Sequence, residues 1–111
     1  GTGTGLGDPI EVGAQKACYA KGRDQHPLIL AAVKSAIGHL EGSAGVAGIS
    51  KVLMCIQHQA ISPNLHLEKL NPNIDLNGFN VIMSDKLIEW KNVAQRASVS
   101  SFGFSGTNGH I

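Results

Sequence analysis

Residues 27–58 read PLILAAVKSAIGHLEGSAGVAGISKVLMCIQH. The run Leu28–Val33 after Pro27 is short and apolar, the pattern of a strand buried on both faces, and it stops at Lys34. Ser43 then offers an N-cap for a helix reaching about His58, in which Val46, Ile49, Val52, Leu53 and Ile56 recur at helical spacing. Gly45 and Gly48 on that helix let a neighbouring element come close. Strand, short loop and helix make up the repeating unit of an α/β domain. In open α/β sheets, residues that contact ligands gather in the loops beyond the carboxyl ends of strands. The loop here is Lys34–His39.

Working outward, Asp8-Pro9-Ile10-Glu11 reads as a helix start, with Asp8 as N-cap, Pro9 at the first helical position and Glu11 completing a capping box. That helix runs from about 9 to 21, with Gly22 as its stop. Residues 60–78 hold Pro63, Asn64, Asn71, Pro72, Asn73, Asn77 and Gly78 and read as an ordered irregular connection. Short strands are expected over 79–84, 87–90 and 97–102, with a further strand over 107–111. The order predicts an α/β fold with a mixed β-sheet. The chain opens inside a Gly-Thr repeat and closes in mid-strand, which suggests a piece of a larger unit.

Composition narrows the function. The 111 residues carry a formal net charge of +1, which gives none of the clustered positive charge that nucleic-acid binding requires. Cys18 and Cys55 form no C-x-x-C pair, and no histidines stand at ligand spacing, so neither a zinc site nor a disulfide framework is indicated. A reducing, cytoplasmic setting fits. No apolar stretch is long enough to span a membrane.

Glycine supplies 14 of the 111 residues, nearly twice the usual share of about 7%. Eleven of the 14 fall in three windows: Gly1, Gly3, Gly5 and Gly7; Gly38, Gly42, Gly45 and Gly48; and Gly103, Gly106 and Gly109. Three shaped loops are implied. The second places His39 beside a helix N-terminus and near Lys34, where both the helix dipole and the lysine favour a neutral imidazole. Such a ring can donate one hydrogen bond to a developing oxyanion; the plainer reading is a histidine bonded to backbone. The third, Phe102–Asn108, exposes backbone N–H groups suited to an oxyanion hole, or is simply a tight turn. The first carries Thr2 and Thr4, whose hydroxyls can bond an extended polar ligand or satisfy their own loop. It is not a nucleotide signature, since no register gives G-x-G-x-x-G and the phosphate-loop pattern is absent. His26, His58, His66 and His110 read as surface or local structural residues, and both cysteines as small buried thiols.

Four blocks, GTGTGLGDPIEVGA (1–14), VKSAIGHLEGSAGVAGISKVL (33–53), ISPNLHLEKLNPNIDL (61–76) and SVSSFGFSGTNGHI (98–111), together resemble the C-terminal half of a β-ketoacyl synthase of the polyketide synthase type. The resemblance implies a thiolase-like layered fold and use as a homodimer within a multidomain synthase. The implied reaction is decarboxylative condensation of an acyl thioester with a malonyl-type extender on acyl carrier protein. Phosphopantetheine enters as the carrier's arm, not as a bound cofactor, and no metal is involved. In the family's pattern His39 is the histidine of the K-S-x-x-G-H block and Lys34 its lysine. Thr2 and Thr4 match threonines that contact the carrier arm. Phe104 matches the residue whose N–H helps form the oxyanion hole and whose ring gates the pocket. The family's nucleophilic Cys block is absent from 1–111, so this piece alone is expected to be inactive. Gly48 stands nine positions after His39, where discrete fatty-acid enzymes often carry Glu, which favours the polyketide type. The alternatives are a fatty acid synthase ketosynthase and a non-condensing partner of the chain-length-factor type.

Overall fold

The computed structural model describes residues 1–23, 25–91 and 94–111. Helix α1 spans Gly7–Tyr19, and the strand β1 spans Leu28–Ile29. A single helical turn, α2, occupies Lys34–Ile37, and a 3-10 turn over Glu41–Ser43 leads into helix α3, Ala44–His58. Five short strands follow: β2 (Ala60–Ile61), β3 (Val81–Ile82), β4 (Ile88–Glu89), β5 (Ser100–Phe102) and β6 (Asn108–His110). They form three two-stranded ladders, with β1 parallel to β3, β2 antiparallel to β4 and β5 antiparallel to β6. The predicted mixture of parallel and antiparallel pairing is present, divided among small sheets.

The predicted helices are present, but their ends differ in detail. Asp8 does not cap α1: the helix begins at Gly7, with Leu6 in the N-cap position and no side-chain cap there. The Gly7 N–H instead donates to the Thr4 hydroxyl oxygen at 3.0 Å. Glu11 closes no capping box either: the Asp8 N–H donates to the Thr4 carbonyl at 3.4 Å. At α3, Ser43 occupies the predicted N-cap position without donating or accepting a capping bond. The Ser43 backbone N–H donates to the Leu40 carbonyl at 3.0 Å within the 3-10 turn before α3.

The predicted strand 28–33 is shorter than its apolar run. Its ladder covers two residues and extends by one bond, from the Leu30 N–H to the Ile82 carbonyl at 2.9 Å. It is also not buried on both faces: Leu28, Ile29 and Leu30 are half-buried, with β3 as the neighbour on one side. Residues 60–78 are irregular as expected, except that Ala60–Ile61 pairs with β4.

Among the described residues the buried apolar side chains are Val12 on α1, Cys55 on α3 and Phe79 before β3. Cys18, read from sequence as buried, is exposed, and both cysteines are free thiols. A hollow of about 1120 Å³ is lined by α1, the exit of β1, the inward face of α3, the 64–74 connection and the approach to β5. The stripe Val46, Ile49, Leu53 and Ile56 on α3 is exposed. The inward face consists of Gly48, Lys51, Val52 and Cys55. Among the described residues no helix is long and apolar enough to cross a membrane.

Candidate active site

Close packing against α3 sets the position of the Phe104 loop. A Cβ added to Gly48 would lie 2.7 Å from Val99 Cγ1, and one on Gly45 would lie 3.4 Å from Ser101. The close approach expected at these two glycines is therefore made by the β5 segment. Val99 faces the later glycine and Ser101 the earlier one, so β5 runs antiparallel to α3 and leads Phe102–Phe104 towards the helix N-terminal end. That end is where the Lys34–His39 segment arrives.

Gly38 takes φ +78°, a conformation that side chains resist, and it closes α2 and turns the chain into His39. His39 is exposed, and its Nδ1 accepts a hydrogen bond from the Glu41 backbone N–H at 3.0 Å. An accepting Nδ1 carries no proton, so the proton of this neutral ring resides on Nε2. The helix-entry backbone thus selects one tautomer and leaves one N–H donor facing outward. Lys34 opens α2, is half-buried, and lines the hollow together with Thr2. Among the described residues no carboxylate pairs with its ammonium.

The Phe104 loop is the tip of the β5–β6 hairpin. The Gly103 N–H donates to the Thr107 carbonyl at 2.6 Å, and the Gly106 N–H donates to the Gly103 carbonyl at 3.0 Å. Among the described residues the Phe104 N–H meets no acceptor, and its ring is fully exposed. At the base of the hairpin, His110 Nδ1 lies 2.9 Å from Ser100 Oγ, and its Nε2 lies 3.3 Å from Tyr19 Oη. Sequence reading missed this link, because Tyr19 and His110 are 91 positions apart.

The Thr2–Thr4 loop folds back over α1. Asp8 Oδ1 accepts the Thr2 N–H at 3.0 Å, and Asp8 Oδ2 accepts the Gly3 N–H at 3.1 Å. Burial works to raise the Asp8 carboxyl. The Thr2 and Gly3 N–H donors favour its charged form and work against burial. Asp8→Asn is expected to lower the urea midpoint at pH 7, because a neutral amide accepts the Thr2 and Gly3 N–H bonds more weakly than a carboxylate does.

Contacts bring two of the three loops together. A Cβ on Gly1 would lie 3.0 Å from Ala32 Cβ, which sets the threonine loop against the exit of β1, two residues before Lys34. Thr2 and Lys34 share the hollow, whereas Thr4, His39 and Phe104 lie outside its lining. Thr4 spends its oxygen on Gly7, the internal role that the sequence left open. Among the described residues no cluster of three or more His, Cys, Asp or Glu could hold a metal ion.

The family description "Beta-ketoacyl synthase, C-terminal domain" matches residues 1–68. The 6-hydroxymellein synthase cdmE of Talaromyces verruculosus is 45% identical over 112 aligned residues, covering 100% of this chain and 4% of that protein. The highly reducing polyketide synthase Preu1 of Preussia isomera is 42% identical over 113 aligned residues, covering 100% of this chain and 5% of that protein. Ketosynthase twelve of the bacillaene polyketide synthase of Bacillus amyloliquefaciens superposes with a TM-score of 0.90 at 40% identity, covering 99% of this chain and 20% of that one. The fold is thiolase-like. The chain belongs to the beta-ketoacyl synthase family, within its C-terminal domain, and it spans a small part of the curated synthases that it matches.

Proposed function

We propose that residues 1–111 are the C-terminal part of a polyketide-type ketosynthase and that the nucleophilic Cys lies in the other part of the domain. The observation that carries this reading is His39, whose Glu41 bond leaves an Nε2–H donor at the entrance to α3. In the proposed reaction an acyl group is held as a thioester on that Cys, and a malonyl-type thioester arrives on acyl carrier protein. The bond between the malonyl carboxylate and the α-carbon breaks, carbon dioxide leaves, and the electron pair moves onto the thioester as an enolate. His39 Nε2–H stabilises the enolate oxygen without protonating its carbon. The α-carbon then attacks the acyl thioester, and the Cys sulfur departs as thiolate. The free Phe104 N–H supports a donor role at an oxyanion, and its exposed ring supports a gating role.

Lys34, which lines the same hollow as Thr2, would act electrostatically on His39 and its neighbourhood rather than as a nucleophile. Thr2 would bond the phosphopantetheine arm with its hydroxyl. Thr4 would do so with its O–H proton alone, because its oxygen already serves Gly7. The same reading makes the protein a dimeric, cytoplasmic acyltransferase within a multidomain synthase, with this piece inactive by itself.

The test is mass-spectrometric detection of a β-ketoacyl product when the complete ketosynthase meets its acyl thioester and malonyl-loaded carrier protein. Product with release of carbon dioxide supports condensation. Carrier binding with neither product nor carbon dioxide would instead identify a non-condensing partner protein.

A further inference from the structure

We propose that Asn64 is a positioning residue for the loop carrying Lys34 and His39, an inference that rests on the condensing-enzyme reading above. The β1–β3 ladder ends at Leu30, just before the segment that delivers the site. Beyond that point the Asn64 amide takes the place of a ladder. Its Nδ2 donates to the Leu30 carbonyl at 3.0 Å and to the Ser84 carbonyl at 3.3 Å, while its Oδ1 accepts the Ala32 N–H at 2.9 Å. The Asn64 backbone N–H adds a bond to the Ser84 carbonyl at 2.8 Å. One half-buried side chain therefore bridges the two strands where their own pairing stops.

Ala32 is held from its other side as well. Its carbonyl accepts from Ser35 Oγ at 3.2 Å and from Lys51 Nζ at 3.4 Å. Ser35 Oγ in turn accepts the Leu65 N–H at 3.2 Å, which joins the Asn64 segment to α2 itself. Ala32 also supports Gly1 of the threonine loop. Both ends of the Asn64 amide are spent on backbone, so its effect on chemistry must pass through where Lys34 and His39 stand. Only a side chain with both a donor and an acceptor fits these partners; a carboxylate keeps the bond to the Ala32 N–H and faces two carbonyls with no proton to give.

Misplacing a catalytic group by about 1 Å can cost about 100-fold in rate. In the complete ketosynthase, Asn64→Asp, Ser35→Ala and His39→Ala are compared by two readouts. One is acyl loading of the nucleophilic Cys, and the other is carbon dioxide release from a malonyl thioester. Asn64→Asp is expected to slow release by about 10–100-fold while loading stays within about twofold, with Ser35→Ala showing the same pattern more weakly. A folded Asn64→Asp protein with the parental ratio of the two rates overturns the proposal. An equal fall in both rates overturns it too, because that marks general structural damage. If Asn64→Asp fails to fold, the ratio in Ser35→Ala decides by the same criterion. Loss of release in His39→Ala with none in Asn64→Asp defeats the positioning role alone. Release intact in His39→Ala defeats the condensing reading and this proposal with it.

Discussion

Replacing His39 with alanine in the complete ketosynthase is expected to slow release of carbon dioxide from a malonyl thioester by about 100–1,000-fold, the usual effect of removing one oxyanion donor. Acyl loading of the nucleophile should change far less, because that step forms no malonyl enolate. The size of the effect follows from the fixed tautomer. The Glu41 N–H occupies Nδ1, so no rotation or proton shift is needed before Nε2–H meets the developing charge. Water filling the space left by alanine would supply a donor, but an unfixed one that must reorient as charge develops. Single-turnover measurements of the two half-reactions check the prediction, and equal losses in both would refute the role given to this ring.

Gly48→Ala in the same protein is expected to destabilise by up to about 2 kcal/mol, while Gly45→Ala should be neutral or stabilising by up to about 1 kcal/mol. Alanine is worth about 1 kcal/mol more than glycine inside a helix at either position. At Gly48 that gain is outweighed, because the new methyl would sit 2.7 Å from Val99 Cγ1, on a β-branched side chain with little freedom to turn. Overpacking of this kind costs about 1–3 kcal/mol. At Gly45 the methyl would meet Ser101 at 3.4 Å, an ordinary contact. Urea unfolding of the two variants side by side tests the opposite signs. Since β5 must shift to admit the Gly48 methyl, the variant should also lose turnover by disturbing Phe104, whereas Gly45→Ala should retain it.

Much of this arrangement was legible in the residues. The extent of α3, the glycine faces that admit β5, and the position of His39 at a helix entrance all follow from local periodicity and from turn residues. What escaped was set by distant partners. Asp8 has every local mark of an N-cap, yet its carboxylate serves Thr2 and Gly3, because the threonine loop curls back over α1 and Thr4 reaches Gly7 first. The apolar run 28–33 predicts a longer ladder than forms, since pairing length depends on where β3 diverges, more than 50 positions away. Asn64 reads locally as part of a turn-rich connection. Its bonds to Leu30 and Ala32 span 34 and 32 positions, beyond the reach of any local pattern. In the site, the resemblance named five residues, and the structure relates them unequally: Thr2 and Lys34 share one hollow, while Thr4, His39 and Phe104 lie outside its lining.

The β5–β6 hairpin is fixed at its base by the two α3 glycines and by His110 between Ser100 and Tyr19, while Phe104 projects at its tip without side-chain support. Mechanically it is a cantilever. Bending at the free end leaves the clamped end, and therefore the helix that orients His39, where it was. Under the proposed reaction, tolerance for acyl chains of different bulk would be retuned at the tip, with the decarboxylating geometry at the root left unchanged.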